Sequence, residues 1–357
     1  MLIGVLASPT DKRVGIIPES VKKLSQQGFS VVVESGAGEK AYFPNAFYEE
    51  MGASLNSREE VLKQSDILVS VEAPELTELT ALGDKKIVVS LFNPLVETEF
   101  VSQIQSLPIH AFSLDRIPRT TIAQSMDVLS SMASLAGYKA VLVAANHLPG
   151  YFPMLMTAAG TIPPAQVLIL GAGVAGLQAI ATARRLGARV SAFDVRSAVK
   201  EEVQSLGAKF IEVEGAQEDA DAGGYAVTQS EAYKKRQQAL IHDQAVKSDV
   251  VITTAQIPGR TAPILIFKDT VDSMKPGSVI VDLAAISGGN CELTQNDKII
   301  QHKGVTLIGN SNLPGEMSNH ASKLFSNNCV NFLSYIFPEG KGELDLENEI
   351  VKGTLIS

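Results

Sequence analysis

Six residues, Gly171-Ala172-Gly173-Val174-Ala175-Gly176, follow the pattern G-x-G-x-x-G and could cradle a pyrophosphate. Gly171 permits a tight turn, Gly173 lets backbone approach the phosphates, and Gly176 lets the following helix pack closely, its N-terminus facing the anion. The motif follows the apolar run Val167-Leu168-Ile169-Leu170 and precedes a helical pattern of Leu177, Ile180, Ala181, Ala183 and Leu186 that stops at Gly187. The next strand pattern, Arg189 to Phe193, ends at Asp194, whose carboxylate could accept both ribose hydroxyls. An acid there repels a 2′-phosphate, so NAD(H) is expected rather than NADP(H). Arg196 could pair with such a phosphate, but it is read as a solvated charge on the following helix.

A second polar segment runs from Asp115 to Ser130. Arg119, Gln124, Asp127 and Ser130 could hydrogen-bond a nicotinamide carboxamide and its ribose. The same residues also suit a structural reading: Thr121-Ile-Ala-Gln124 fits a capping box, and Asp127 fits the first turn of a helix. Neither reading supplies a proton carrier, because Arg stays charged and Gln does not titrate. The other strand-end groups are Arg13, Glu72 and Asn93. Of these only Glu72 could act as a general base, and a solvated acid before Pro74 is the expectation for it.

These residues must be positioned by elements, and the chain supplies two sets. Strand patterns at 2–6, 30–34, 66–71, 87–91 and 109–112 alternate with helical patterns such as 18–27 and 57–64. A second series lies at 166–170, 189–193, 209–213, 249–254, 278–283 and 305–309. Long helical patterns at 125–147 and 318–336 join the two sets, and the tail 343–356 reads as a terminal hairpin. The expected fold is α/β: two Rossmann-like, doubly wound parallel-sheet domains separated by a cleft and joined by long helices. The first comprises 1–130 plus 318–357 and the second 131–317. The acidic stretch 215–230 carries Gly223-Gly224-Tyr225 and reads either as a lid over a cofactor or as a surface insertion.

Composition narrows the partners. With 357 residues, a net charge of −9 and aromatic content of 6%, the chain is not expected to bind nucleic acid or an anionic membrane surface. Cys291 and Cys329 lack metal-ligand spacing, and the five histidines form no ligand group, so neither a metal site nor a disulfide framework is expected. The first residues are too short and uncharged for a signal peptide. No run approaches about 18 uninterrupted apolar residues, so direct membrane insertion is not expected.

Several further stretches carry a family likeness. They are Arg119…Ala-Gln124-Ser-Met-Asp127…Ser130, Leu-Ala-Gly137-Tyr138-Lys139, Pro153…Thr157-Ala-Ala-Gly160-Thr…Pro163-Pro164, Pro276-Gly277-Ser278-Val-Ile-Val-Asp282, Gly288-Gly289-Asn290-Cys291 and Asn312-Leu313-Pro314-Gly315. With the glycine motif, they resemble the NAD(H)-binding domain (domain I, alpha subunit) of proton-translocating NAD(P) transhydrogenases, a family similar to alanine dehydrogenases. Alanine dehydrogenases carry a Lys, a His and an Asp where this chain resembles them at Glu72, Asn93 and Ile286, while Arg13 is kept. That departure disfavours amino-acid oxidation.

The resemblance implies direct hydride transfer from NADH on this chain to NADP+ on a partner domain, without acid–base help. It implies that the loop carrying Arg119, Thr120, Thr121, Ile122, Gln124, Asp127 and Ser130 places the nicotinamide, with Gln124 nearest the partner. Gly171, Gly173, Val174 and Gly176 would take the pyrophosphate, and Asp194, Val195 and Arg196 the adenosine side. Gly224 and Tyr225 would lie on a closing loop. It further implies a homodimer, held on the cytoplasmic side of the inner membrane by separate membrane-spanning and NADP(H)-binding subunits. An amino-acid dehydrogenase and a non-catalytic NAD-binding module are the alternatives.

Overall fold

The computed structural model describes residues 1–213, 230–257 and 259–357. The chain divides into two units, Met1–Met132 with Pro314–Ser357, and Ala133–Leu313. The expected Gly223-Gly224-Tyr225 loop lies outside the described residues.

In the first unit, β1 (Leu2–Val5), β2 (Ser30–Glu34), β3 (Ser54–Asn56), β4 (Ile67–Glu72), β5 (Ile87–Leu91) and β6 (His110–Ser113) form one sheet. Its order is β3-β2-β1-β4-β5-β6 and every pair is parallel, which is the doubly wound arrangement. Val31, Val32, Val33, Ile67, Leu68 and Val69 are all buried, as strands covered on both faces require. Helices α1 (Pro18–Gln26), α2 (Asn45–Glu50), α3 (Arg58–Gln64), α4 (Leu76–Thr80) and α5 (Thr98–Ile104) lie between the strands in sequence. Pro18 starts α1, where its missing N–H costs nothing, and Ser57 with Glu60 closes a capping box on α3. Strand β3 carries a single apolar residue in three, too little for a strand signal in the sequence.

Helix α6 (Val128–His147) carries the chain into the second unit. It is the one helix among the described residues long and apolar enough to cross a membrane by length and composition. Its Ala140, Val141 and Ala144 are nevertheless packed into a core with Val167, Ile169 and Ile180. Next come the hairpin β7 (Leu155–Thr157) and β8 (Gly160–Ile162), then β9 (Gln166–Leu170), β10 (Arg189–Phe193), β11 (Lys209–Ile211), β12 (Val250–Thr253), β13 (Val279–Asp282), β14 (Ile299–His302) and β15 (Val305–Ile308). The described strands of the main sheet run β11-β10-β9-β12-β13-β15-β14, with β14 antiparallel at the edge. Order reverses between β9 and β12, so the crevice at their C-terminal ends is where such folds take a dinucleotide. The connecting helices are α7 (Val174–Arg185), α8 (Lys200–Ser205), α9 (Glu231–Ala245) and α10 (Lys268–Ser273).

The chain ends in the first unit with α11 (Ser318–Ile336) and α12 (Glu349–Thr354). Small polar residues sit on the buried face of α11 because they have partners: Val14 N donates to Ser322 Oγ (2.9 Å) and Ile17 N to Ser326 Oγ (3.0 Å). The tail corrects the hairpin expected at 343–356. Asn348 caps α12 by accepting from Ile350 N and Val351 N, and only one bridge, Leu355 to Phe112, is strand-like. Alternating Leu344, Leu346 and Ile350 resemble a strand, but an N-cap side chain outweighs so short a pattern.

Candidate nucleotide-binding site

The glycine turn joins β9 to α7 and each glycine has its own reason. Gly171 adopts φ +104°, and a side chain there would meet Thr254 Oγ1. A Cβ on Gly176 would strike the Gly171 carbonyl oxygen, so only glycine lets α7 start this close to the turn. A Cβ on Gly173 would meet nothing within 4 Å. The space above Gly173 is thus open, as a phosphate-approach point must be. Val174, the first residue of α7, is 45% exposed beside it. Gly137 of α6 performs a similar service from outside, since a side chain there would collide with the Ala175 carbonyl.

Asp194 follows β10 and its side chain is only 6% exposed. Its Oδ2 accepts from Ala172 N in the turn (2.7 Å), which ties the acid to the glycine motif. Arg196 takes up the remaining acceptor sites: its Nη2 donates to Oδ2 (2.7 Å), and its Nε and backbone N donate to Oδ1 (2.9 Å each). The expectation of a solvated Arg196 is therefore corrected, because a planar guanidinium two residues from a buried carboxylate forms the bidentate pair instead. Burial pushes the Asp194 carboxyl up, but the Arg196 hydrogen bonds and charge outweigh it, holding the group below the usual carboxylate range. Asp194 can accept ribose hydroxyls only by sharing or releasing Arg196. Val195, between them, is a partly buried neighbour of the core containing Leu168, Leu170 and Phe193.

The 119–130 segment is built differently. Ile122–Met126 is a short 3-10 turn anchored by buried Ala123 and Met126, which leaves Gln124 exposed and Ile122 62% exposed. Arg119 and Thr121 are exposed and Thr120 half-buried. The capping box expected at Thr121-Gln124 is absent: Thr121 has helical backbone and makes no side-chain cap. The cap belongs to Asp127, whose Oδ1 accepts from Ser130 N (2.9 Å) and whose Oδ2 accepts from Ser130 Oγ (2.6 Å) at the start of α6. Sequence reading also missed Asn328 and Asn331 of α11, whose Nδ2 groups both donate to the Ser125 carbonyl (2.8 and 3.0 Å). A tertiary contact across about 200 residues leaves no local signal.

Near the strand ends of the first unit, the expected solvated Glu72 is instead half-buried. It accepts from Thr10 N (2.9 Å), Asp11 N (3.0 Å) and Thr10 Oγ1, because the chain after β1 folds back onto the end of β4. Arg13 is 8% exposed and forked onto Asp11, at 2.9 Å and 3.1 Å from Nε and 2.5 Å from Nη2. Asn93 is exposed with φ +48°, and Ile286 is 66% exposed on the turn after β13. Cys291 and Cys329 are free and buried, and burial pushes the Cys291 thiol up to about 11.

A doubly wound sheet with this turn and acid defines a nucleotide-binding α/β protein of Rossmann type. Residues 7–136 match the family described as alanine dehydrogenase/PNT, N-terminal domain, and residues 140–357 match its C-terminal domain. The chain belongs to the alanine dehydrogenase/PNT family. It is 44% identical to the first of the separate parts of the NAD(P) transhydrogenase alpha subunit of Rhodospirillum rubrum, over 98% of this chain and 94% of that one. It is 42% identical to NAD(P) transhydrogenase subunit alpha of Haemophilus influenzae, over 100% of this chain and 70% of that one. The crystal structure of transhydrogenase from Sinorhizobium meliloti superposes with a TM-score of 0.90 at 43% identity, covering 99% and 98% of the two chains.

Proposed function

We propose that this chain is the NAD(H)-binding subunit of a proton-translocating NAD(P) transhydrogenase, passing hydride from its NADH to NADP+ on a partner domain. The observation that carries the proposal is the turn constrained to glycine at 171 and 176 and open above Gly173, tied by Ala172 N to Asp194. It suits NADH, with pyrophosphate over Gly173 and adenosine beside Asp194, Val195 and Arg196. Gly224 and Tyr225 are proposed to close on the bound nucleotide.

Direct exchange between two nicotinamides needs no acid or base, only ring carbons brought to about 3–3.5 Å. The groups near the β4 and β5 ends agree with that: Glu72 and Arg13 are engaged by the residues after β1, and Asn93 does not titrate. We assign nicotinamide placement to Arg119, Thr120, Thr121, Ile122, Gln124, Asp127 and Ser130, with Gln124 facing the NADP(H) partner. The relatives are named as an alpha subunit, in one case divided into parts. Those names support partner subunits; we assign to them the membrane-spanning and NADP(H)-binding parts, with this chain peripheral on the cytoplasmic side of the membrane. We further propose a homodimer, its apolar contact being Met154 just before β7, Met156 in β7 and Ile162 in β8, which are 52%, 73% and 42% exposed.

Stopped-flow mixing of the NADH-loaded chain with an NADP+-loaded partner domain should show rapid hydride transfer. Its absence, with NADH formed from L-alanine instead, would move the assignment to an amino-acid dehydrogenase; NADH binding without turnover would mark a non-catalytic module. Gln124→Asn should slow transfer about tenfold or more, with NADH affinity unchanged.

A further inference from the structure

Among the described residues that the proposed reaction does not use, a buried carboxylate at the end of β13 is tightly constrained. Asp282 is 1% exposed and accepts five hydrogen bonds. Its Oδ1 receives Thr253 Oγ1 (2.8 Å) and Ala284 N (3.0 Å). Its Oδ2 receives Asn290 N (2.7 Å), Cys291 N (2.9 Å) and Thr294 Oγ1 (2.7 Å). Such saturation is what allows a charge to stay in a core. Asn290, fully buried, continues the chain of bonds. Its Nδ2 donates to Ala255 O and Pro263 O (2.8 Å each), and its Oδ1 accepts from Ala255 N (3.0 Å). Both polar atoms of the Ala255 backbone are therefore held by one side chain.

Ala255 follows Thr254, whose N donates to Leu170 O (2.8 Å) and whose Oγ1 donates to Gly171 O (3.1 Å). The clamp thus ends at the glycine turn, on the β12 side of the switch-point crevice. Asp194 holds the same turn from the β10 side, through Ala172 N. Such folds take one half of a dinucleotide on each side of the switch point, so with adenosine proposed beside Asp194, the β12 side, where Thr254 and Ala255 lie, falls to the other half.

We propose that Asp282 and Asn290 are positioning residues that fix the Thr254–Ala255 backbone for the nicotinamide half of the dinucleotide without touching it. This rests on the dinucleotide reading above. The test compares NADH with ADP, which lacks the nicotinamide half, by titration calorimetry on the full chain. Asn290→Ala should weaken NADH about tenfold and ADP less than twofold. Thr294→Val, which removes one of the five bonds to Asp282, should give the same selective loss at smaller size. Should Asn290→Ala not fold, Asn290→Ser and Thr294→Val carry the comparison. Equal loss of NADH and ADP, or no loss of NADH in a folded variant, would overturn the positioning role. Failure of the unmodified chain to bind either nucleotide would instead overturn the dinucleotide reading.

Discussion

In the function proposed above the glycine turn and the 119–130 segment serve one nucleotide, yet they are constructed on opposite plans. Around the turn, the close approaches at Gly171 and Gly176 depend on the lack of a side chain, and the acid beside them is buried and paired. In the 119–130 segment two buried anchors, Ala123 and Met126, and one clamped carbonyl, Ser125 O, support a row of exposed side chains. A site that must hold a pyrophosphate gains from backbone rigidity. A site that must present a ring to a second protein needs its side chains outside and its backbone tethered from below.

The contrast breaks most readily at Gly176. Gly176→Ala drives a methyl group into the Gly171 carbonyl, which should cost about 1–3 kcal/mol. Thermal melting should fall by roughly 2–12 °C, with NADH binding lost. An unchanged melting point would remove the argument from close packing. Gly173→Ala separates ligand from fold at the same turn, since its methyl group meets only open space. Melting should fall only slightly, because alanine is a poorer N-cap for α7 than glycine, while NADH affinity drops about tenfold; equal affinity would place the phosphates elsewhere.

Asp127 sharpens the other side of the comparison. Asp127→Ala should lose about 1 kcal/mol of helix capping, whereas Asp127→Asn keeps an equally good cap. If Asp127→Asn melts like the parent chain but transfers hydride several-fold more slowly, the carboxylate acts on the cofactor as well as on α6. Equal rates would leave it a cap alone. The smallest effect concerns pH. The Asp194 carboxyl is held below its unfolded value of about 3.9 by Arg196, so its contribution is complete above that value and fades as pH falls through the lower folded one. The melting-point gap between the parent chain and Asp194→Asn should be flat from about pH 5 to 7 and narrow only below about pH 4. A gap that narrows near pH 6 would contradict the pairing.

Much of the fold was legible because its strands are short, doubly buried apolar runs between glycine and helix signals. The runs at 30–34, 87–91, 166–170 and 189–193 coincide with observed strands, and 318–336 with α11. What escaped had weak apolar signal, as in β3 and β14, or was misread from alternation, as in the tail. The candidate site divides the same way. The need for glycine at 171 and 176 was legible in the spacing, since few other backbones require it at those two places. The fork of Arg196 onto Asp194, the capture of Arg13 by Asp11 and the transfer of the cap from Thr121 to Asp127 depend on rotamers and loop paths that spacing does not encode.

By itself, then, the sequence determined two wound sheets, a dinucleotide turn and the absence of titratable bases at positions 93 and 286, because local pattern and residue chemistry are written in the order of residues. Only the tertiary structure decided that Asn328 and Asn331 hold Ser125, and that Asp282 holds Asn290, which in turn holds Ala255. Those contacts join segments far apart in the chain, and a buried polar group reveals its purpose only through the partner that satisfies it.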